Sequence, residues 1–488
     1  MNVCSLSPVR LKYAVHSQRI GCLLAAVLLA SCGSSADRRG ATVLFASGAD
    51  LQSINPLLTI HPLARQVQRY VLLTTLARYD SSLTPRPYLA RRWEWSPDRR
   101  RLTFHLETAL RWHDGRATTS RDVAWTLNTA RDPASGYPRT SELTSLETVT
   151  APDESTVVVQ FARSQPSLPD VLTDLAILPS HLLGQIPPGE LRQAAWNRAP
   201  VGNGPFRFVA HEANRRWVFA ANRSFPAALG GPPRLDRFIV VVVDEPTTKL
   251  AALTSGELDF AGIQPAHAAF VARDPELLVK SYPLLMTYGI VFNTRRPPFD
   301  QLAVRRAVNA ALDREELVEG YIYGYGTPAD GPVPPDVPGY LPAAFAPQVT
   351  PPLPDRVSFE LLSVGSGEAA LEQMVQAQLR RAGFEVSIRL LELSAFLGRV
   401  YGAQHDFQAA VLGVPGDLGL GYLGPLAALA GTEGPSDPVA AQRRFADSVP
   451  VAFLYHARGL QGMNRRVQGV TMDLRGELPT VQSWWVKP

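Results

Sequence analysis

The chain has 488 residues, a formal net charge of +4 and 3 cysteines. Cys4 and Cys22 lie in an apolar leader, so the folded part has no thiol pair for a disulfide framework or a thiolate metal centre. Stability must come from a buried core, and the length allows two or three domains. Without the leader residues Arg10, Lys12 and Arg19 the net charge falls from +4 to +1, too balanced for a nucleic-acid partner. The excess of arginine over lysine reads as genomic codon bias and not as a phosphate-binding signal.

The leader comes first. Arg10, Lys12 and Arg19 precede an apolar stretch from Ile20 to Ala30 with small residues at the expected cut, the order of a secretory signal. The stretch is shorter than the roughly 20 apolar residues of a spanning helix. Its end, Leu29-Ala30-Ser31-Cys32, resembles a bacterial lipobox, which implies removal of residues 1–31, acylation of Cys32 and an exported protein tethered to a membrane. The alternative is an ordinary signal peptide with an incidental cysteine. Residues 32–40 are small and polar and suit a flexible tether. Gly33 is not the aspartate of inner-membrane retention, so either membrane of a two-membrane cell remains open.

Folded structure is expected from Ala41. Thr119 with Asp122, and Asp313 with Glu316, have the spacing of capping boxes at helix starts. Phe238 to Val243 is a continuous β-branched run followed by a helical pattern from Thr247 and a stop at Ser255-Gly256, which predicts a buried parallel strand feeding a helix. Pro328 to Pro354 is proline-rich and predicts an extended surface excursion. Leu371, Met374, Val375 and Leu379 share a helical face, Gly383 ends that helix, and Phe384, Val386, Ile388 and Leu390 alternate as a strand. Both units predict an α/β protein.

Other segments carry a resemblance. They run from Leu76-Ala77-Arg78-Tyr79-Asp80 through Trp93 and Thr103-Phe104-His105-Leu106 to Trp112-His113-Asp114-Gly115 and Asp122-Val123-Ala124-Trp125. Then follow Ile177-Leu178-Pro179-Ser180-His181, Pro200-Val201-Gly202-Asn203-Gly204-Pro205-Phe206, Ser255-Gly256-Glu257-Leu258-Asp259, Phe292-Asn293-Thr294 and Ala311-Leu312-Asp313-Arg314. In this order they resemble the family 5 extracytoplasmic solute-binding proteins, the group holding the oligopeptide, dipeptide and nickel receptors of ABC importers. The resemblance implies a two-lobed periplasmic binding protein of type II, cluster C-like, with an extra subdomain in lobe I and two hinge strands. Residues 41–80, 202–284 and 455–488 would form lobe I, 81–201 its subdomain, and 285–454 a shortened lobe II. It also implies a monomer that catalyses nothing, needs no cofactor or metal, and hands a small solute, above all a short peptide, to an ABC permease. A nickel chelate or sugar oligomer on the same fold is the alternative; an exported sensor or an oxidoreductase is a more distant one.

By the same resemblance, Asp417 in Gly413-Val414-Pro415-Gly416-Asp417 would bind the α-ammonium of a peptide, with Gly416, Val414 and Asn293 beside it. Peptide receptors often carry Trp where this chain has Val414. The structural reading of Asp417 is a loop aspartate capping nearby amides. Gly419 to Gly424 fits the dinucleotide pattern GxGxxG, but Pro415 to Leu418 separate it from the strand and the apolar run after it is short, so a loop lining the cleft is expected. His113-Asp114-Gly115 reads as a turn, and Arg305 and Arg306 as packing or solvated residues. Replacing Cys32 with Ser should move the protein from the membrane fraction to the soluble one; a variant of unchanged mass that stays in membranes would contradict acylation.

Overall fold

The computed structural model describes residues 40–59, 61–342, 357–365, 368–432 and 437–487. Cys32, the leader and the end of the proline-rich stretch lie outside them. The β-branched run forms the strand Arg237–Val242, parallel to Thr42–Ser47 with Val43 opposite Phe238 and Phe45 opposite Val240. Phe260–Gly262 lies parallel on the other side of Thr42–Ser47, and Arg216–Ala221 and Phe206–Glu212 extend the sheet antiparallel. The expected helix follows as Pro246–Thr254, started by the Glu245 carboxylate, which accepts the Thr247 and Thr248 amides.

The second expected unit is also present. Helix Ala370–Arg381 buries Leu371, Val375 and Leu379 and ends before Gly383, whose φ of +91° suits glycine. Strand Glu385–Leu391 then pairs parallel with Ser358–Val364, which pairs parallel with Ala409–Pro415. Strand alternation sends Ile290 and Leu361 into one core and Val291 and Leu362 into another, so this sheet is covered on both faces.

Two long strands join these halves. Leu277–Phe292 and Val451–Asn464 pair antiparallel from Leu277 opposite Asn464 to Val291 opposite Val451. One end of the pair meets Phe260–Gly262 through Val451–Asn464, and the other meets Ala409–Pro415 through Leu277–Phe292. The register shifts between Pro283 and Thr287, where proline cannot donate to the ladder and the strand bends.

The four-stranded antiparallel sheet Ala90–Trp95, Arg101–Leu106, Thr156–Phe161 and Leu146–Thr150 is packed by helix Ser120–Arg131 and shares the first half's apolar core. Asp122 takes the Thr119 amide at 2.9 Å as its spacing predicts, and also the Trp112 indole N–H at 3.1 Å and the Ser180 amide at 2.9 Å. At the other box, Asp313 accepts the Glu316 amide at 2.9 Å, but the Asp313 amide donates to Gln378 and Glu316 turns to Arg381. A side chain 65 residues away outcompetes the local partner. Gly202 and Gly204 lie against the backbone of Leu72, so that a Cβ at Gly202 would stand 2.1 Å from the Leu72 carbonyl oxygen. Between them buried Asn203 accepts the Thr74 amide at 3.0 Å.

Asp259 and Arg466 tie the chain's end to the first strand. The fork bonds both carboxylate oxygens at 2.6 and 2.7 Å and the Thr42 carbonyl at 2.9 Å, while Asp259 also accepts the Leu44 amide. Asp259 is 2% exposed, so Arg466→Leu strands a buried charge. The loss should be about 3 to 5 kcal/mol, read as a fall in the midpoint of denaturant unfolding.

Candidate functional site at the seam between the halves

Ala409–Pro415 lies between two partners in the sheet, and the loop after its carboxyl end carries Gly416 and Asp417 to the rim of the second half. The Gly416 amide donates to the Leu285 carbonyl at 2.7 Å, fixing the loop to a long strand. Asp417 is exposed, and its two oxygens accept the Gly421 amide at 3.0 Å and the Tyr422 amide at 3.1 Å. The capping that its loop position suggested is therefore present. A carboxylate has about four lone-pair directions, so these two amides orient the group without exhausting it. The turn includes Leu420 at φ +58°. Tyr422 closes it: its ring lies so near Gly416 that a Cβ there would be 3.2 Å from the ring, and its hydroxyl donates to the Pro332 carbonyl at 2.8 Å.

Val414 is half-buried against the core and stands opposite Thr287 in the ladder. Thr287 also meets His456 Nδ1 at 2.9 Å. Burial pushes the His456 imidazole down to about 4 and leaves its Nε2 without a hydrogen-bond partner among the described residues, so it is neutral near pH 7. Asn293 is not gathered with these residues. It is 1% exposed, donates to the His405 and Phe407 carbonyls at 2.8 and 3.0 Å, and accepts the Arg295 amide. In this structure it braces the loop before Ala409 and presents no surface to a ligand.

The first half supplies what faces Asp417. A Cβ built on Gly419 would lie 3.1 Å from Asp170 Oδ2 and 3.3 Å from Asp417 Oδ1, so two carboxylates flank one point. Asp170 accepts a hydrogen bond from the Tyr79 hydroxyl. Burial, then Asp174, Asp417 and Glu142, push the Asp170 carboxyl up despite that bond. Neighbouring Asp174 is the opposite case, because Arg65, Arg69 and Arg139 all bond it. Burial alone would raise its pKa; Arg69, then Arg65 and Arg139, hold it well below the usual carboxylate range.

The other sequence candidates are structural. His113 Nε2 meets the Gly204 carbonyl at 3.0 Å, and Gly115 at φ +93° completes the expected turn. Arg305 is buried and spends its fork on the carbonyls of Ser448 and Phe299. The glycine-rich loop precedes a short helix, Leu423–Leu429, and Gly419 faces two acids, the wrong charge for a phosphate. Among the described residues no group of three or more His, Cys, Asp or Glu could hold a metal, and no helix is long and apolar enough to cross a membrane. An open hollow of 660 Å³ lies at the opposite edge of the second half, by Ser358, Glu360, Phe384 and Glu385. Sequence reading missed Asp170, Tyr79 and Tyr422 as parts of this site, because Tyr79 reaches Asp170 only across 91 positions and Asp170 nears the Asp417 loop only through the fold.

Two α/β halves joined by a pair of through-running strands, with polar loops facing each other at the seam, define a two-lobed binding protein. Residues 84–426 match the bacterial extracellular solute-binding proteins, family 5 Middle, and the chain belongs to that family. It is similar to a putative ABC transporter peptide-binding protein of Brucella ovis, 34% identical over 50% of this chain and 45% of the relative. The chain thus spans about half the length of such relatives in the match. A probable di/tripeptide-binding protein of Pseudomonas aeruginosa is 27% identical over 81% of this chain and 80% of its own. A putative peptide-binding protein, AppA, from Clostridium difficile has the same fold, with a TM-score of 0.77 at 20% identity over 92% of this chain and 100% of that one.

Asp174 holds three guanidiniums together, and Asp174→Asn should destabilise the protein by about 3 kcal/mol near pH 7. Its folded pKa is depressed, so its contribution is complete above the unfolded carboxylate value near about 4 and is lost as pH falls through the folded value. The stability gap between wild type and variant should stay constant above that pH and narrow below it in acid melts.

Proposed function

We propose that this chain is an extracytoplasmic receptor of an ABC importer that captures short peptides and holds the peptide α-ammonium at Asp417. The observation that carries the reading is the Asp417 carboxylate itself. It is exposed at the carboxyl end of a sheet strand, on the seam, and oriented by two amides with lone pairs to spare. An ammonium has three donors and no acceptor, and a carboxylate in a closing cleft compensates its desolvation with a charge-assisted bond. The names of the relatives support a di- or tripeptide as ligand. Binding and release between two lobes make and break no covalent bond, so the receptor is not an enzyme, and its partner is a permease. Cys32 would anchor it outside the cytoplasm.

Val414 favours small ligands with undemanding side chains, since it offers a half-buried aliphatic surface where a broad aromatic wall would grip a residue. The Tyr422 ring lies close to Gly416 in the same loop.

Peptides of two to eight residues should give at least one saturable rise in melting temperature, as expected for a ligand that binds the folded state. Asp417→Asn keeps the shape and removes the charge, so affinity for that peptide should fall by roughly 2 to 4 kcal/mol with folding intact. N-acetylation of the peptide should cost wild type a similar amount and the variant little more. Equal affinity for free and acetylated peptide in wild type rules out the ammonium anchor.

A further inference from the structure

Several acids removed from water in this protein meet guanidiniums: Asp174 has Arg65, Arg69 and Arg139, Asp259 has Arg466, and Asp473 has Arg475. Asp170 instead has another carboxylate, Asp417, on the far side of Gly419. It is half-buried, accepts from the Tyr79 hydroxyl, and makes no ion pair among the described residues. The charged groups that act on it most are Asp174, Asp417 and Glu142, all acids. The nearby guanidiniums are engaged elsewhere, with Arg139 bonding Glu142 and Asp174 and the other two bonding Asp174.

Asp170 belongs to the first half, since Leu168, Val171 and Leu172 around it pack in that core. Asp417 belongs to the second, since Leu420 and Leu423 of its loop pack there. The two carboxylates therefore come together only when the halves approach. Like charges brought together in a drying cleft repel, and each also loses hydration. A cation between them removes both penalties, and an ammonium has enough donors to reach both acids.

We propose that Asp170 is a specificity-determining residue that makes approach of the two halves conditional on a ligand cation. Without ligand, repulsion between Asp170 and Asp417 holds the halves apart. With an α-ammonium seated between them, the same pair draws the halves together, so ligand charge is converted into hinge movement. The identity of the cation rests on the peptide reading above; the repulsion does not. Tyr79 has a positioning role, because its hydroxyl sets the direction of the Asp170 carboxylate.

The test has a ligand-free arm and a binding arm, both on the full chain with Asp170→Asn and the charge-keeping control Asp170→Glu. By small-angle X-ray scattering at neutral pH, ligand-free Asp170→Asn should have a smaller radius of gyration than wild type, and Asp170→Glu should match wild type. With trialanine as probe, Asp170→Asn should bind roughly tenfold more weakly, the scale of losing one charged contact. With N-acetyl-trialanine it should bind as well as wild type or better, because the repulsion is gone and no ammonium is lost. Equal weakening toward both probes means a structural role and overturns the proposal, as does unchanged trialanine binding in a variant of unchanged radius. If wild type does not distinguish the two probes while ligand-free Asp170→Asn is compact, the peptide reading fails and the charge gate stands with a different cation.

Discussion

The ladder between Leu277–Phe292 and Val451–Asn464 is the constraint on which the rest of the structure depends. It carries the chain between the halves and is hydrogen-bonded along most of its length, so the halves are joined by backbone and not by a surface contact. Close packing holds it. A Cβ on Gly459 would stand 2.2 Å from the Tyr282 ring, and one on Gly289 would stand 2.9 Å from Val451. The Tyr282 hydroxyl bonds Glu477 at 2.8 Å, which also meets Gln66 and Gln461, so the first-half end of the pair is fixed to the chain's last segment. The ladder's register shifts at Pro283 to Thr287 and again at Tyr288 to Gly289, and the first shift lies beside the Asp417 loop through Leu285.

A few arginines serve this protein as internal glue. The planar fork bonds several acceptors at once, so Arg305 and Arg314 close helix and strand ends by bonding carbonyls, and Asp174 and Asp259 are neutralised in bidentate or triple contacts. Asp170 and Asp417 face each other across the seam without guanidiniums, and the seam is where a two-lobed binding protein takes its ligand.

Some of the site was legible in the chain. Asp417 follows a strand-like run and a glycine, and the structure places it at the rim of the seam with its loop amides satisfied. Asn293, four residues past Gly289 on the same segment, was legible as part of a motif but not by role. The motif position is a polar residue after a buried strand, and such a residue can either face a cleft or satisfy buried carbonyls; here two carbonyls of the 405–407 segment decide for the second. The capping boxes show the same competition. Thr119 and Asp122 pair locally as their spacing predicts, whereas Gln378 displaces Glu316 from the Asp313 amide.

By itself the sequence determined the local elements and the family: β-branched runs became parallel strands, the amphipathic 370–381 segment became a helix ended at Gly383, and the ordered motifs identified a two-lobed binding protein. Those properties depend on periodicity and on neighbours a few positions apart, which a linear chain displays. The tertiary structure alone decided which charges face each other. Asp170 and Asp417 are 247 positions apart and belong to different cores, and nothing in either local segment marks them as a pair. Charge interactions act through space and not along the chain, so only the folded arrangement shows that Asp174 is neutralised while Asp170, one helical turn before it, is not.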